Sequence, residues 1–126
     1  MTQETIIAIG AIFGLLAVTF GAFGAHALKK ILSEEQLNSF ETGVKYQMYH
    51  AIVLLVLGFQ LNPNISLDKY IIYSFIIGIL LFSFSIYGLV ISSAKNKKLK
   101  FLGPITPLGG LFLVCGWALL AYKFIV

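Results

Sequence analysis

The amino-acid sequence predicts an all-α integral membrane protein, built as a four-helix transmembrane bundle with a short amphipathic interfacial helix before the second span. Apolar residues make up 59% of the 126 residues and charged residues only 11%, against roughly half and roughly a quarter in ordinary globular proteins. Four apolar stretches each approach the ~20 residues that a helix needs to cross a hydrocarbon core. The remaining polar side chains are too few to cover a water-facing surface, so a bilayer is the expected environment.

A chain of this length is expected to form one domain, and four apolar helices leave no polar material for a separate water-soluble core. Residues 1–126 are therefore predicted to be a single transmembrane domain. Its spans are predicted at about residues 5–27, 46–61 (as part of a longer helix from residue 34), 70–92 and 106–126.

The connections between the spans contain helix start and stop signals. Ser33 and Gln36 have the spacing of a capping box, in which each side chain accepts a hydrogen bond from the other residue's backbone N–H. A helix is thus expected to begin near residue 34 and to run along the membrane surface before the second span. Pro63 ends that span because proline cannot continue the helical hydrogen bonds, and Pro104 and Pro107 bracket the start of the fourth span.

The first span is predicted to be retained and not to be a cleaved signal peptide. Ala25, His26 and Ala27 do fit the small-x-small cleavage pattern. The segment before the apolar run, Met1–Glu4, however, has an acidic residue and no lysine, and the run is longer than a usual signal core.

Lysine placement predicts the orientation of the four spans. The chain contains no arginine, so its basic residues are nine lysines. The first and third connections share one side of the membrane, and the positive-inside rule places that lysine-rich side in the cytoplasm and both termini outside. Lys29, Lys30, Lys45, Lys95, Lys97, Lys98 and Lys100 stand on this side, and Lys69 and Lys123 on the other.

The same composition limits the classes of partner. Arginine is the preferred residue for contacting phosphates and base edges, so its absence argues against nucleic acid despite the net charge of +4. Membrane lipid is the predicted partner, together with either a second copy of the chain or a larger membrane complex, and no small-molecule substrate is indicated. The single Cys115 has no second cysteine with which to form a disulfide.

Small residues are predicted to mark the helix interfaces, because helices in lipid associate through close packing and hydrogen bonds. In the first span they recur at alternating spacings of four and three. Packing seams are favoured over the alternative that the glycines line a permeation path. The predicted packing residues are Gly10, Gly14, Ala17, Gly21 and Gly24 in the first span, Gly78 and Gly88 in the third, and Gly109 and Gly116 in the fourth.

Four polar residues near the predicted cytoplasmic ends form the candidate site: His26, Gln47, His50 and Thr106. Polar groups inside a membrane are costly and are the first place to look for function. Two histidines can bind a borderline metal ion, relay protons or hold helices together by hydrogen bonds. The structural role is favoured, since two histidines without a nearby carboxylate or thiolate fall short of a usual metal site. In a regular first helix, His26 also points away from the small-residue stripe. We therefore predict no catalytic residue, metal or cofactor, and leave open whether the two histidines meet.

Three stretches resemble the signature segments of the YgdD/YwdK family, which comprises small bacterial inner-membrane proteins catalogued as a domain of unknown function. They are GAFGAH at residues 21–26, GVKYQMYHA at 43–51 and GPITPLGG at 103–110. The resemblance covers essentially the whole chain and implies a four-span protein of the bacterial inner (plasma) membrane. It supplies no activity, substrate or catalytic residue.

The predicted function is that of a multi-pass inner-membrane protein that is not an enzyme and serves as a packing, assembly or accessory component. The alternative is a small oligomeric transporter or channel, or a proton- or metal-handling protein that uses His26 and His50. Charged residues in mid-membrane would favour that alternative, and the sequence places none between the interfacial layers.

Overall fold

A computed structural model describes residues 1–126 and contains four main helices and no β-strand. The prediction of an all-α fold is therefore confirmed. Helix α1 covers Gln3–Leu28, α2 covers Glu34–Gln60, α3 covers Ser66–Ala94, and α4 covers Ile105–Ile125 after a single 3-10 turn at Lys100–Leu102.

Three of the helices, α1, α3 and α4 with its preceding turn, are long and apolar enough to cross a membrane. Helix α2 is less apolar along its length, so a fourth span stays a prediction at this point. The predicted short interfacial helix is not a separate element. Residues 34–45 form roughly the first three turns of one uninterrupted 27-residue helix, and their location at the membrane surface stays a prediction.

The first turn of α2 is fixed by the capping box. The hydroxyl of Ser33 accepts a hydrogen bond from the backbone N–H of Gln36 at 3.1 Å, and Oε1 of Gln36 accepts one from the backbone N–H of Ser33 at 2.9 Å. Two otherwise unpaired N–H groups are thereby satisfied. The chain therefore enters α2 at a defined residue, which sets the register of every polar side chain further along it.

Two π-helical turns interrupt the apolar spans, at Phe20–Gly24 in α1 and at Leu80–Phe84 in α3. In the first, the backbone N–H of Ala25 bonds to the carbonyl of Phe20, five residues earlier. A π turn inserts an extra residue into the helical repeat, so faces beyond it are rotated relative to a regular helix. The expectation for His26, which assumed a regular helix, therefore does not apply beyond residue 24.

The buried core lies between α1, α2 and α3 and includes Ile6, Leu54 and Phe75, with Leu113 contributed by α4. A second, smaller cluster around Tyr87 fills the lysine-rich end of the bundle. Large apolar side chains also cover the outside of the helices. Such a continuous apolar exterior is unfavourable in water and suits contact with lipid or another membrane protein.

Candidate functional site

Gln47 is the centre of the polar interior. Its side chain is 0% exposed and projects from the middle of α2 between two other helices. Nε2 donates a hydrogen bond to the backbone carbonyl of Phe13 in α1 at 2.8 Å, and Oε1 accepts one from the hydroxyl of Tyr87 in α3 at 2.7 Å. The carboxamide therefore links three helices, and its donor and acceptor ends both have a partner.

A second bond joins α2 to α3 one turn closer to the lysine-rich end. The hydroxyl of Ser83, which lies in the π turn of α3, donates to the backbone carbonyl of Gly43 at 2.7 Å. A Cβ atom at Gly43 would lie 2.8 Å from the ring of Tyr87, closer than real Cβ contacts come. Glycine at position 43 thus allows the tyrosine ring to pack on the α2 backbone and to reach Gln47.

His50 is 5% exposed, and both of its ring nitrogens have hydrogen-bond partners. Nε2 lies 3.1 Å from the indole Nε1 of Trp117 in α4, and Nδ1 lies 2.7 Å from the backbone carbonyl of Tyr46. Because an indole N–H can only donate, Nε2 is the acceptor and the ring proton lies on Nδ1. A metal ion could bind Nε2 only by displacing the indole of Trp117.

Thr106 pairs with α3 and not with the histidines. Its hydroxyl lies 2.5 Å from the hydroxyl of Ser85, which itself bonds to the backbone carbonyl of Phe82 at 2.9 Å. Since the Ser85 proton is used on that carbonyl, Thr106 is the donor in the pair. This bond fixes the first turn of α4 against α3.

His26 lies on the exposed surface of α1, and its side chain forms no hydrogen bond. The structure therefore does not bring the four predicted polar residues together. Gln47 and His50 share the inward face of α2, Thr106 belongs to a separate α3–α4 contact, and no bond or ring contact joins His26 to His50. No group of three or more histidine, cysteine, aspartate or glutamate side chains is arranged to hold a metal ion.

The opposite end of the bundle contains a buried ion pair that the sequence reasoning missed. Asp68, in the first turn of α3, is 2% exposed. Its Oδ1 lies 2.5 Å from Nζ of Lys123 in the last turn of α4, and its Oδ2 accepts from the backbone N–H of Asn62 at 2.9 Å. A signal was available, since Asp68 is the only acidic residue after Glu41 and shares its predicted side of the membrane with Lys123.

The predicted packing glycines differ in how closely a neighbouring helix approaches them. An added Cβ would collide with the α3 backbone at Gly109 and come within 2.6 Å of Leu113 at Gly78. At Gly14 it would meet only an ordinary contact at 4.0 Å.

Two glycines of α2 outside the predicted stripes also have very close neighbours. An added Cβ would lie 2.8 Å from Tyr87 at Gly43 and 2.5 Å from Ile7 at Gly58. The remaining predicted positions approach a neighbour to between 2.6 and 3.3 Å; these are Gly10, Gly21, Gly24, Gly88 and Gly116. Ala17 is buried.

A cleft of about 690 Å³ opens at the lysine-rich end, between the first turns of α2, the last turns of α3 and the start of α4. Its wall includes Thr106 from the predicted site and Lys98 and Lys100 from the connection before α4. None of the groups around Gln47 or His50 lines this cleft.

Comparison with known proteins shows which family the sequence matches. Residues 20–110 match the family described as "Protein of unknown function (DUF423)". A UPF0382 membrane protein of Staphylococcus aureus (strain bovine RF122 / ET3-1) is 38% identical over 97% of this chain and 98% of its own. The UPF0382 membrane protein YwdK of Bacillus subtilis (strain 168) is 37% identical, over 94% of each chain.

A third relative is the UPF0382 inner membrane protein YgdD of Escherichia coli (strain K12), which is 35% identical over 95% of this chain and 88% of its own. The resemblance to the YgdD/YwdK family is therefore confirmed. No solved structure matches the chain.

Proposed function

We propose that this chain, which belongs to the DUF423 family of proteins of unknown function, is a four-span inner-membrane protein that acts as a non-enzymatic packing, assembly or accessory component. One observation carries the proposal: every buried side-chain nitrogen and oxygen has a hydrogen-bond partner within the chain. The interior polar groups are used to join helices, which is the role expected of fully paired polar side chains in a bilayer.

Of the two histidines that a proton- or ion-handling protein would use, His50 is held at both ring nitrogens, and His26 lies apart from it on the exposed surface. A relay through His50 must take the proton of Nδ1 from the Tyr46 carbonyl or separate Nε2 from Trp117. Either step leaves a polar group unpaired in a low-dielectric interior, which costs on the order of 1–3 kcal/mol. The geometry therefore favours a fixed helix contact over a moving carrier group.

The proposal includes α2 as the fourth span. Its outward face is apolar at Ile52, Val56 and Phe59, the last 70% exposed, whereas its polar residues Gln47 and His50 face the other helices. Gln47 and His50 lower the mean hydropathy of the helix, although their polar atoms are hydrogen-bonded within the protein and do not face lipid. The outward face alone is what lipid would contact, and it is as apolar as that of a spanning helix.

Cysteine labelling tests the four-span arrangement and its orientation. In a Cys115→Ser background, Asn64→Cys should react with a membrane-impermeant maleimide added to intact spheroplasts. Leu99→Cys should react only after the membrane is permeabilised. Positions 2 and 64 are separated by α1 and α2, so Thr2→Cys and Asn64→Cys should both react in intact spheroplasts if both helices cross. If α1 crosses the membrane and α2 does not, only one of these two positions reacts, and this result would refute the fourth span. Thr2→Cys reports the N-terminus and should be labelled from outside.

Photocrosslinking tests the accessory role. Val114, on the outward face of α4, is 63% exposed, and a photoreactive residue there should give an adduct with a second copy or with another integral membrane protein. Leu113, its buried neighbour, is the matched control and should give only internal crosslinks. Adducts with lipid alone from every outward face would contradict an assembly role. A cation flux in proteoliposomes that His50→Ala abolishes would replace this role with a transporter.

A further inference from the structure

The cleft at the lysine-rich end combines a small apolar surface on α3 with a basic mouth, in a wall that is otherwise mostly polar. Ile86 and Val90 of α3 are buried, and Leu89 is half-buried, so they form its inner surface. Lys98 and Lys100 also line it and are exposed, so their amines lie at the opening. A volume of about 690 Å³ lies within the usual range of ligand pockets.

The charges at the mouth are not neutralised by the protein. The one ion pair of the chain joins Lys123 to Asp68 at the opposite end, so neither Lys98 nor Lys100 has a carboxylate partner. Glu35 is the only acidic residue in the wall, which leaves one formal positive charge in excess, from two lysines and one carboxylate. A ligand carrying a single negative charge would balance this excess.

The polar wall on α2 supplies hydrogen-bonding groups next to those charges. Glu35, Ser39 and Thr42 lie along one face at helical spacing and all line the cleft. The Ser39 hydroxyl has no partner within the chain, whereas Thr42 donates to the carbonyl of Asn38 at 3.0 Å and keeps its lone pairs free. This wall can therefore both accept from and donate to the hydroxyl groups of a ligand.

We infer that the cleft binds the headgroup of an anionic glycerophospholipid of the cytoplasmic leaflet, such as phosphatidylglycerol. Lys98 and Lys100 hold the phosphate, Glu35 and Ser39 bond to the headgroup hydroxyls, and Ile86 and Leu89 contact the first acyl carbons. The assignment rests on the proposed orientation, which brings the lysine-rich end to a surface where anionic lipid is the abundant negative group. The cleft is too small for a whole lipid, so the tails extend into the bilayer.

Native mass spectrometry of the protein in mild detergent, titrated separately with phosphatidylglycerol and phosphatidylcholine, tests this site. Phosphatidylglycerol should bind more tightly, and Lys98→Gln/Lys100→Gln should weaken it by about thirtyfold, the effect of two lysines at an anionic surface. Lys95→Gln/Lys97→Gln removes the same charge from the same connection without touching the cleft. An equal loss in both variants, or equal binding of the two lipids, would overturn the assignment.

A steric pair of variants separates the cleft from general surface charge. Ser39→Trp places an indole inside the cleft and should weaken the phosphatidylglycerol adduct, while Asn38→Trp, on the neighbouring exposed position outside the cleft, should leave it intact. Glycerol phosphate should compete only weakly, since it lacks the acyl carbons; competition as strong as that of the lipid would show a phosphate site instead. The cysteine labelling described above reports the orientation independently, so a failed lipid site and a failed topology give different results.

Discussion

Replacing Gln47 with leucine removes two interhelical hydrogen bonds and keeps a side chain of similar size. The change deprives the Tyr87 hydroxyl of its acceptor and the Phe13 carbonyl of its side-chain donor. In the proposed four-span arrangement the unfolded helices also lie in the membrane, where leucine is at least as well tolerated as glutamine, so helix insertion contributes little to the effect. The free energy of helix association should therefore carry nearly the whole effect.

The expected loss follows from the geometry of the two bonds. Hydrogen bonds between membrane helices contribute about 0.6 kcal/mol on average and up to about 1.7 kcal/mol. Both bonds of Gln47 are short, at 2.8 and 2.7 Å, and the side chain is inaccessible, so that water cannot replace them. We expect Gln47→Leu to lower the free energy of unfolding by about 1–3 kcal/mol.

Unfolding by sodium dodecyl sulfate in mixed micelles, followed through the fluorescence of the single tryptophan, measures this loss. Gln60→Leu, an exposed glutamine near the end of the same helix, is the matched control and should change stability by less than about 0.5 kcal/mol. The double variant with Tyr87→Phe should show a coupling energy between the two side chains. Equal losses for Gln47 and Gln60, or no coupling with Tyr87, would refute a stabilising polar core.

Two further predictions use the same unfolding assay. Gly109→Ala should lower the free energy of unfolding by about 2 kcal/mol because its Cβ would overlap the α3 backbone. Gly110→Ala, whose Cβ would have ordinary contacts, should be neutral or stabilising by up to about 1 kcal/mol. Equal effects of the two variants would mean that the α3–α4 distance is not set at position 109. Lys123→Met should destabilise by about 2 kcal/mol or more at neutral pH because it leaves the Asp68 carboxylate buried and unpaired, while Lys69→Met stays within about 0.5 kcal/mol. Adding Asp68→Asn to Lys123→Met should then recover much of the loss, and no recovery would show that the ion pair is not the cause.

The helices of this protein could be predicted from local patterns, and their relative rotations could not. Length and hydropathy are sufficient to identify α1, α3 and α4, and Ser33 with Gln36 is sufficient to place the start of α2, because each of these signals depends on neighbouring residues. The π turns at residues 20–24 and 80–84 depend on packing between helices. They have no reliable signature in a single sequence, and they rotate every side chain beyond them.

The candidate site shows the same division. Gln47 and His50 were identifiable because a polar residue inside an apolar helix must find a partner. The identity of that partner depends on tertiary geometry, and the pattern gave no reason to choose Tyr87 or Trp117 over His26. Gly43 and Gly58 were overlooked because α2 has no repeating stripe of small residues. Their role becomes visible only when Tyr87 and Ile7 are seen against them.

The distribution of polar bonds identifies α2 as the helix that orders the bundle. Close packing at small residues and directional hydrogen bonds together determine which helices pair in lipid, and the directional bonds add a requirement on register. Side chains or backbone groups of α2 bond to α1 and α3 through Gln47, again to α3 through Ser83, and to α4 through His50 and Trp117. No other helix is bonded in this way to all three of its companions. Two of the polar residues that make α2 less apolar than the other helices, Gln47 and His50, therefore also bond it to its three companions.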